Sequence, residues 1–308
     1  MSLGVTLWVV FGLSVLGMLI LDLGVFNRKA HDIKLKEALV WSVIWTVVAL
    51  MFNGGVYFAL GSQRALEFFV AYLLERSLSI DNLFIFLLVF AYFKVPRRLE
   101  HKVLFWGILG ALIMRAVFIV AGIAFVRKFQ WAAYVLGGLV IFTGIKMLFQ
   151  KDHAVEPSKN ILIRLARKVV PMVTDYSGDR FFVRHGKAMA ATPLFIVLLV
   201  VESTDVIFAA DSIPAVLGIT VDPFVVYSSN VFAILGMRAL YFALAGAMQM
   251  FHHLNYGLAV ILVFIGAKMI AKDYVHHSIV VDLLIIASIL LFSVATSVVW
   301  PKKDEIKA

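Results

Sequence analysis

Six side chains in two apolar runs have the chemistry to hold a cation. In "ERSLSIDNLF", Glu75–Phe84, they are Glu75, Asp81 and Asn82. In "VESTDVIFAADSIPA", Val201–Ala215, they are Glu202, Asp205 and Asp211. Both runs otherwise read as membrane-spanning helix. A carboxylate at the centre of a bilayer costs at least about 2.5 kcal/mol, and such residues mark ion pathways or pair with one another. Carboxylate, amide, hydroxyl and carbonyl oxygens suit hard divalent cations such as Mn²⁺, Mg²⁺ and Ca²⁺. None of the eight histidines falls in either run and the chain has no cysteine. That argues against a site for Zn²⁺, Cu⁺ or Ni²⁺. Two to four carboxylates compensate a 2+ charge and repel an oxyanion. The spacing alone leaves Mn²⁺, Ca²⁺ and Mg²⁺ open.

The acids lie in a repeat. "SIDNLF" and "STDVIF" share Ser-x-Asp-x-aliphatic-Phe, which adds Ser79 and Ser203 to the candidates. Arg115 follows Asp81 by 34 residues and Arg238 follows Asp205 by 33. Lys146 follows Arg115 by 31, and Lys268 follows Arg238 by 30. Three landmarks in one order at matching spacing predict two copies of a three-helix unit. An odd number of spans makes the second copy enter the membrane from the opposite side, an inverted repeat of the kind that places substrate sites at the midplane. Buried arginines require partners, so Arg115 and Arg238 are expected to pair with the acids. They act either as a gate with which the metal competes or as a permanent lock. Asn53 and Asn230 are further candidates, though intramembrane amides also serve as packing contacts. Pro214 deprives the Ala210 carbonyl of its helical partner; a kink or unwound turn at 210–214 is expected.

The elements that must carry these residues follow from composition. Of 308 residues, 62% are hydrophobic, and mean hydropathy is +0.97. Soluble domains are about half apolar, so the fold class is an all-α polytopic membrane protein. At about 20 residues per crossing, nine spans are expected: 5–26, 38–61, 66–93, 103–126, 131–149, 189–218, 223–250, 256–272 and 279–300. The first repeat then covers 66–149, the second 189–272, with a cytoplasmic linker over 150–188. Basic residues crowd 27–37, 94–102, the linker and the tail, against only Arg64, Arg127, Lys128 and Lys272 on the other side. The positive-inside rule puts the N-terminus outside and the C-terminus in the cytoplasm. The net charge of +9 is thus assigned to cytoplasmic loops, not to nucleic acid. No cleavable leader is evident in the first span. Lys146 and Lys268, at span ends, are expected to snorkel. The pairs His252–His253 and His276–His277 read as interfacial polarity, and Gly107, Gly110, Gly137, Gly138 and Gly144 as close helix contacts.

With "ERSLSIDNLFIF", "FFVRHGKAMAATPL", "VESTDVIFAADSIPA" and "SSNVFAILGMRALYF", the whole chain resembles the TerC family of integral membrane proteins. The resemblance is to its Alx-like members, within the LysE-type transporter superfamily. It implies a nine-span inner-membrane protein, a role in manganese export, and a metal site at Glu75, Asp81, Asn82, Glu202, Asp205 and Asp211. The family name comes from tellurium-resistance loci. The reading is therefore a transporter, not an enzyme: it exports Mn²⁺ by alternating access, uses no organic cofactor and has proton antiport as an added possibility. Oligomeric state is left open. An intramembrane aspartyl protease would need a Gly-x-Gly-Asp segment, which this sequence lacks. A membrane scaffold for metalation or tellurite resistance, without transport of its own, is the alternative.

Overall fold

The computed structural model describes residues 3–26, 35–129, 131–149, 171–173, 175–185, 188–245, 254–271 and 278–299. Among the described residues, ten helices run in order: α1 (Leu3–Phe26), α2 (Leu35–Leu60), α3 (Ser62–Tyr92), α4 (Arg97–Lys128), α5 (Ala132–Phe149), α6 (Pro193–Leu217), α7 (Pro223–Leu235), α8 (Met237–Ala245), α9 (Leu254–Ile270) and α10 (Ile279–Val299). Six are long and apolar enough to cross a membrane, or seven when α7 and α8, bent by 40° at their junction, count as one. α3 falls outside that count because it carries five charged residues, Arg64, Glu67, Glu75, Arg76 and Asp81. α9, at 17 residues, is short.

Two expected boundaries shift. The sixth span does not begin at residue 189: Ala188–Ala191 is a strand, β2, paired antiparallel with β1 (Phe182–His185), and the helix starts at Pro193. Proline suits that first-turn position, where its missing N–H is not needed. Residues 223–250 are not one helix either. The break falls at Gly236, whereas α6 remains helical through Pro214. Most of the linker, residues 150–170, and the His252–His253 and His276–His277 pairs lie outside the described residues.

Contacts between loops fix which helix ends lie together. At one end, Tyr176 donates to the Phe93 carbonyl (2.9 Å) and Lys102 pairs with Asp179 (2.9 Å). The ammonium holds the exposed Asp179 carboxyl below its ordinary range, a surface contact that salt screens. At the other end, Arg64 pairs with Glu67 (2.8 Å) and Asp222 (3.5 Å), and Arg127 donates to the Val221 carbonyl (3.1 Å). α3 therefore starts where α6 finishes, and the two run in opposite directions. α3 packs on α7, α4 on α6, and α5 on α9.

The α5–α9 seam is the tightest. A Cβ on Gly137 would lie 2.9 Å from the Gly266 carbonyl oxygen, one on Gly266 would lie 2.6 Å from that of Gly137, and one on Gly144 would lie 2.8 Å from that of Ala259. Gly107 and Gly110 likewise face α6 closely, but Gly138 meets open space and is no packing contact. Without a hydrophobic drive between helices in lipid, such small-residue contacts carry association. Lys268 does not snorkel free: its ammonium is ion-paired with the buried Asp282 of α10.

Replacing Gly266 by Val is expected to destabilise the protein by about 1–3 kcal/mol through overpacking, while Gly138→Val changes little. Thermal unfolding in detergent compares the two.

Candidate functional site

The interior is polar at one place above all. Arg115, midway along α4, is fully buried. Its guanidinium is ion-paired through Nη1 with Glu75 of α3. Nη2 and Nε reach the two carboxylate oxygens of Asp205 on α6, at 3.1 and 3.4 Å. Nη1 also donates to Asn230 Oδ1 on α7, at 3.4 Å. The two-oxygen contact with Asp205 uses the planar fork that makes arginine a better carboxylate partner than lysine. One guanidinium thus ties together four helices. It faces two carboxyl groups, and Glu75 Oε2 and Asn230 Nδ2 have no hydrogen-bond partner among the described residues.

The other candidates scatter around this centre. The side chain of Asp81 lies outside the described residues. Glu202 is half-buried and lies against α4, where its carboxylate fills the space a Cβ on Gly110 would need. Asp211 accepts from Thr143 of α5 at 3.1 Å and lines a separate cavity with Asn82, Ser212 and Lys146. Lys146, in the last turn of α5, lines this cavity while being itself exposed. Ser79 and Ser203 turn back to carbonyls of their own helices, those of Glu75 (2.7 Å) and Val200 (2.8 Å). Asn53, in α2, is half-buried, with an unpartnered Oδ1 among the described residues. Arg238 is buried on α8 with its guanidinium 6.0 Å from the Phe105 ring, within cation–π range. Phe105 is ten residues before Arg115, about 15 Å along α4, so the two arginines occupy different levels. Among the described residues, no three of His, Cys, Asp and Glu form a ready metal cluster.

One interior residue escaped the sequence reading. Arg76 donates to Ser42 Oγ of α2 (2.9 Å) and to the Ala233 carbonyl in the last turn of α7 (3.2 Å). Its guanidinium occupies the space beside Gly236 that a Cβ would fill. The end of a helix leaves carbonyls without amides and carries the negative pole of the macrodipole. Arg76 meets both at the break between α7 and α8. The signal was present, an arginine beside Glu75, but its partner is a backbone group 157 residues away.

The family described as "Integral membrane protein TerC family" matches residues 60–305. The chain belongs to the TerC family. It is 46% identical over 293 residues to "Uncharacterized membrane protein STKORF319" of Myxococcus xanthus, covering 95% of this chain and 92% of that protein. It is 42% identical over 296 residues to "Putative membrane-bound redox modulator Alx" of Escherichia coli strain K12, covering 93% and 92%. An uncharacterized membrane protein of Rickettsia bellii is 35% identical over 292 residues, covering 95% and 97%. No solved structure matches the chain. The family match spans α3 to α10, the helices that hold every charged group described in this site.

Arg115→Gln is expected to lower stability by about 3–5 kcal/mol, because it strands Glu75 and Asp205 without a buried cation. The double variant Glu75→Gln/Arg115→Gln restores the original net charge and should recover part of the loss. Denaturation of both single variants and the double gives the coupling, expected above about 1 kcal/mol for groups in contact.

Proposed function

We propose that this TerC-family protein is an inner-membrane exporter of a hard divalent cation, Mn²⁺ foremost, working by alternating access with its N-terminus outside. The observation that carries the reading is the Glu75–Arg115–Asp205 centre. Two carboxylates from different three-helix units converge in the protein interior on one guanidinium, and buried charges of this kind default to transport pathways. In this reading Arg115 holds the two acids when no ion is present. A divalent cation competes for the same oxygens, and its arrival frees the guanidinium to shift. Asp205 and Glu75 are the carboxylates that bind it. Glu202, at the edge of the same α4–α6 contact, and Asp81, on the same helix as Glu75, complete the charge that draws the ion in. Protons compete for these groups too, which makes proton antiport a natural coupling.

The inverted-repeat plan is supported by particular contacts. α3 and α6 run in opposite directions. Aligning Lys146 with Lys268 pairs Gly144 with Gly266 and Gly137 with Ala259. The close approaches 137–266 and 144–259 then exchange under a two-fold operation.

The name of the Escherichia coli relative points to redox modulation. The 308 residues here hold no cysteine, so thiol–disulfide exchange is not the route by which this chain would act. The competing reading is a scaffold that assists metalation or tellurite resistance without moving ions.

Inverted membrane vesicles carrying the protein are expected to take up Mn²⁺, with at least a ten-fold lower rate for Asp205→Asn. Zn²⁺ transported in place of Mn²⁺ and Ca²⁺ would refute the oxygen-ligand argument. Purified protein that moves no ion in liposomes favours the scaffold, and uptake indifferent to a pH gradient removes proton antiport.

A further inference from the structure

The strands β1 and β2 stand at the end of the bundle where α3 finishes and α6 begins. A two-stranded sheet on its own is marginal in water, so this pair needs support. Its root has some. β2 is bridged on its other side at Met172, the Ala191 amide donates to the Pro171 carbonyl (2.8 Å), and Thr192 Oγ1 donates to the Arg180 carbonyl (2.8 Å). The Phe182 ring meets that of Phe195, in the first turn of α6, at 4.5 Å. Beyond the root one face is bare. The register sets Phe182 against Ala191 and Arg184 against Met189, so Phe182, Arg184 and Met189 share a face. Phe182 is 38% and Met189 57% exposed, and Arg184 is exposed beside them. Apolar and basic side chains mixed on one face suit a bilayer boundary, because arginine lays its stem on apolar surface and sends its charge to the headgroups.

α4 sets the level of that boundary. It has 32 residues, about 48 Å of helix, against a hydrocarbon core of about 30 Å, so its ends stand beyond the core. The Phe181 ring, beside the start of β1, meets the ring of Trp106 on α4 at 6.4 Å. Trp106 is 45% exposed and lies about 14 Å along the helix from Arg97. Indoles gather at the membrane–water interface, and this one puts the strands at the same height. The charge around them is positive. Lys94, Arg97, Arg98, Arg180 and Arg184 are exposed, against Asp175 and Asp179, and Asp179 is already paired with Lys102. We propose that the Phe182–Arg184–Met189 face is a docking surface for anionic phospholipid. The Phe182 ring and the Met189 thioether enter the acyl boundary, and Arg184, with Arg180 close by, takes the headgroup phosphates, as basic clusters beside a membrane do. Through Thr192 the docked strands fix where α6 begins, and α6 carries Asp205. The inference is independent of the transport reading.

The chain has no cysteine, which makes single nitroxide labels practicable in the full-length protein. Phe182→Cys, Met189→Cys and, as a water-exposed reference, Ser177→Cys are labelled and reconstituted in phosphatidylcholine vesicles with about 30% phosphatidylglycerol, anionic lipid being the proposed partner. Power saturation compares access of dissolved oxygen, which concentrates in lipid, with access of a water-soluble nickel chelate. Labels at 182 and 189 are expected to lie about 5–10 Å below the phosphates, with an oxygen-to-chelate ratio at least three-fold above that at 177. Adding Arg184→Gln, or leaving out phosphatidylglycerol, should bring the 189 label at least halfway back to the reference. Labels at 182 and 189 as open to the chelate as the one at 177 place this face in water and overturn the proposal. Labels shielded from both reagents, with spin–spin broadening, assign the face to a second copy of the chain and overturn it too. Insertion of equal depth in phosphatidylcholine alone and in the Arg184→Gln protein overturns the role of anionic headgroups. Each labelled protein is required to unfold at the wild-type temperature, and Arg184→Lys, which keeps the charge, should restore insertion.

Discussion

Burying a guanidinium among transmembrane helices is tolerable only when carboxylates come with it, and the rest of this structure is arranged around that requirement at Arg115. The group is fully buried, so its charge cannot be left to solvent. α3 and α6 must each bring an acid to the same level of α4, and α7 must bring Asn230. An ion pair of this kind adds little net stability over an apolar replacement, yet losing one partner is severe. It therefore acts as a constraint on how helices may be placed more than as a source of folding energy. Two carboxyl groups against one cation also leave acceptor capacity over, visible at Glu75 Oε2. A purely structural lock has no need of the second acid.

The interruption in the bundle sits where charge can support it. Pro214 is the residue most able to break a helix, but it lies three residues before the end of α6 at Leu217, with Gly218 after the last turn. The cost is one amide hydrogen bond to the Ala210 carbonyl, and the helix continues to Leu217. The break in the middle of a span occurs at Gly236 instead, where a residue without Cβ lets Arg76 come against the backbone. Arg76 and Glu75 are sequence neighbours on α3, so the same turn of helix holds the Arg115 carboxylate partner and the cap of the broken helix. Movement of that turn would act on both.

How much of this was legible in the sequence depended on the range of the interaction. Hydropathy located the long helices because a run of about twenty apolar residues is a local signal. α3 is the exception that explains the rule: its charges weaken its hydropathy and are also its chemistry. The pairing of Arg115 with buried acids followed from the pairing requirement alone. The choice of acids did not. Glu75, Ser79 and Asn82 share a helix face by spacing, yet Ser79 bonds its own backbone and Asn82 stands about 10 Å of helix rise from Glu75, enough to put it in the Asp211 cavity. Glu202 and Asp205, three apart, meet different parts of α4. The Lys268–Asp282 pair joins α9 to α10, outside either repeat, so comparing the two copies gave no hint of it. The pairing of β1 with β2 was hidden because "AMAA" is as apolar as the helix it precedes, and the boundary lay in two residues, Thr192 as N-cap and Pro193 in the first turn.

The two polar regions differ in the stiffness of what surrounds them, and that bears on how the molecule could move. α5 and α9 touch backbone to backbone, with no Cβ to yield at Gly137, Gly144 or Gly266. Sliding one past the other would push carbonyl oxygens into neighbouring backbone, so the pair is best treated as one rigid piece. The contacts of α3, α4, α6 and α7 at Arg115 are made by side chains, not backbone, two of them the long and flexible Arg115 and Glu75. Asp211 and Lys146 lie at the border: Lys146 belongs to the rigid α5 and Asp211 to α6, which also carries Asp205 six residues earlier. A displacement of α6 against α5 therefore alters the Asp211–Lys146 spacing and the Asp205–Arg115 contact together. The covalent continuity of one helix, not a chain of intermediate side chains, is the physical link between the two regions.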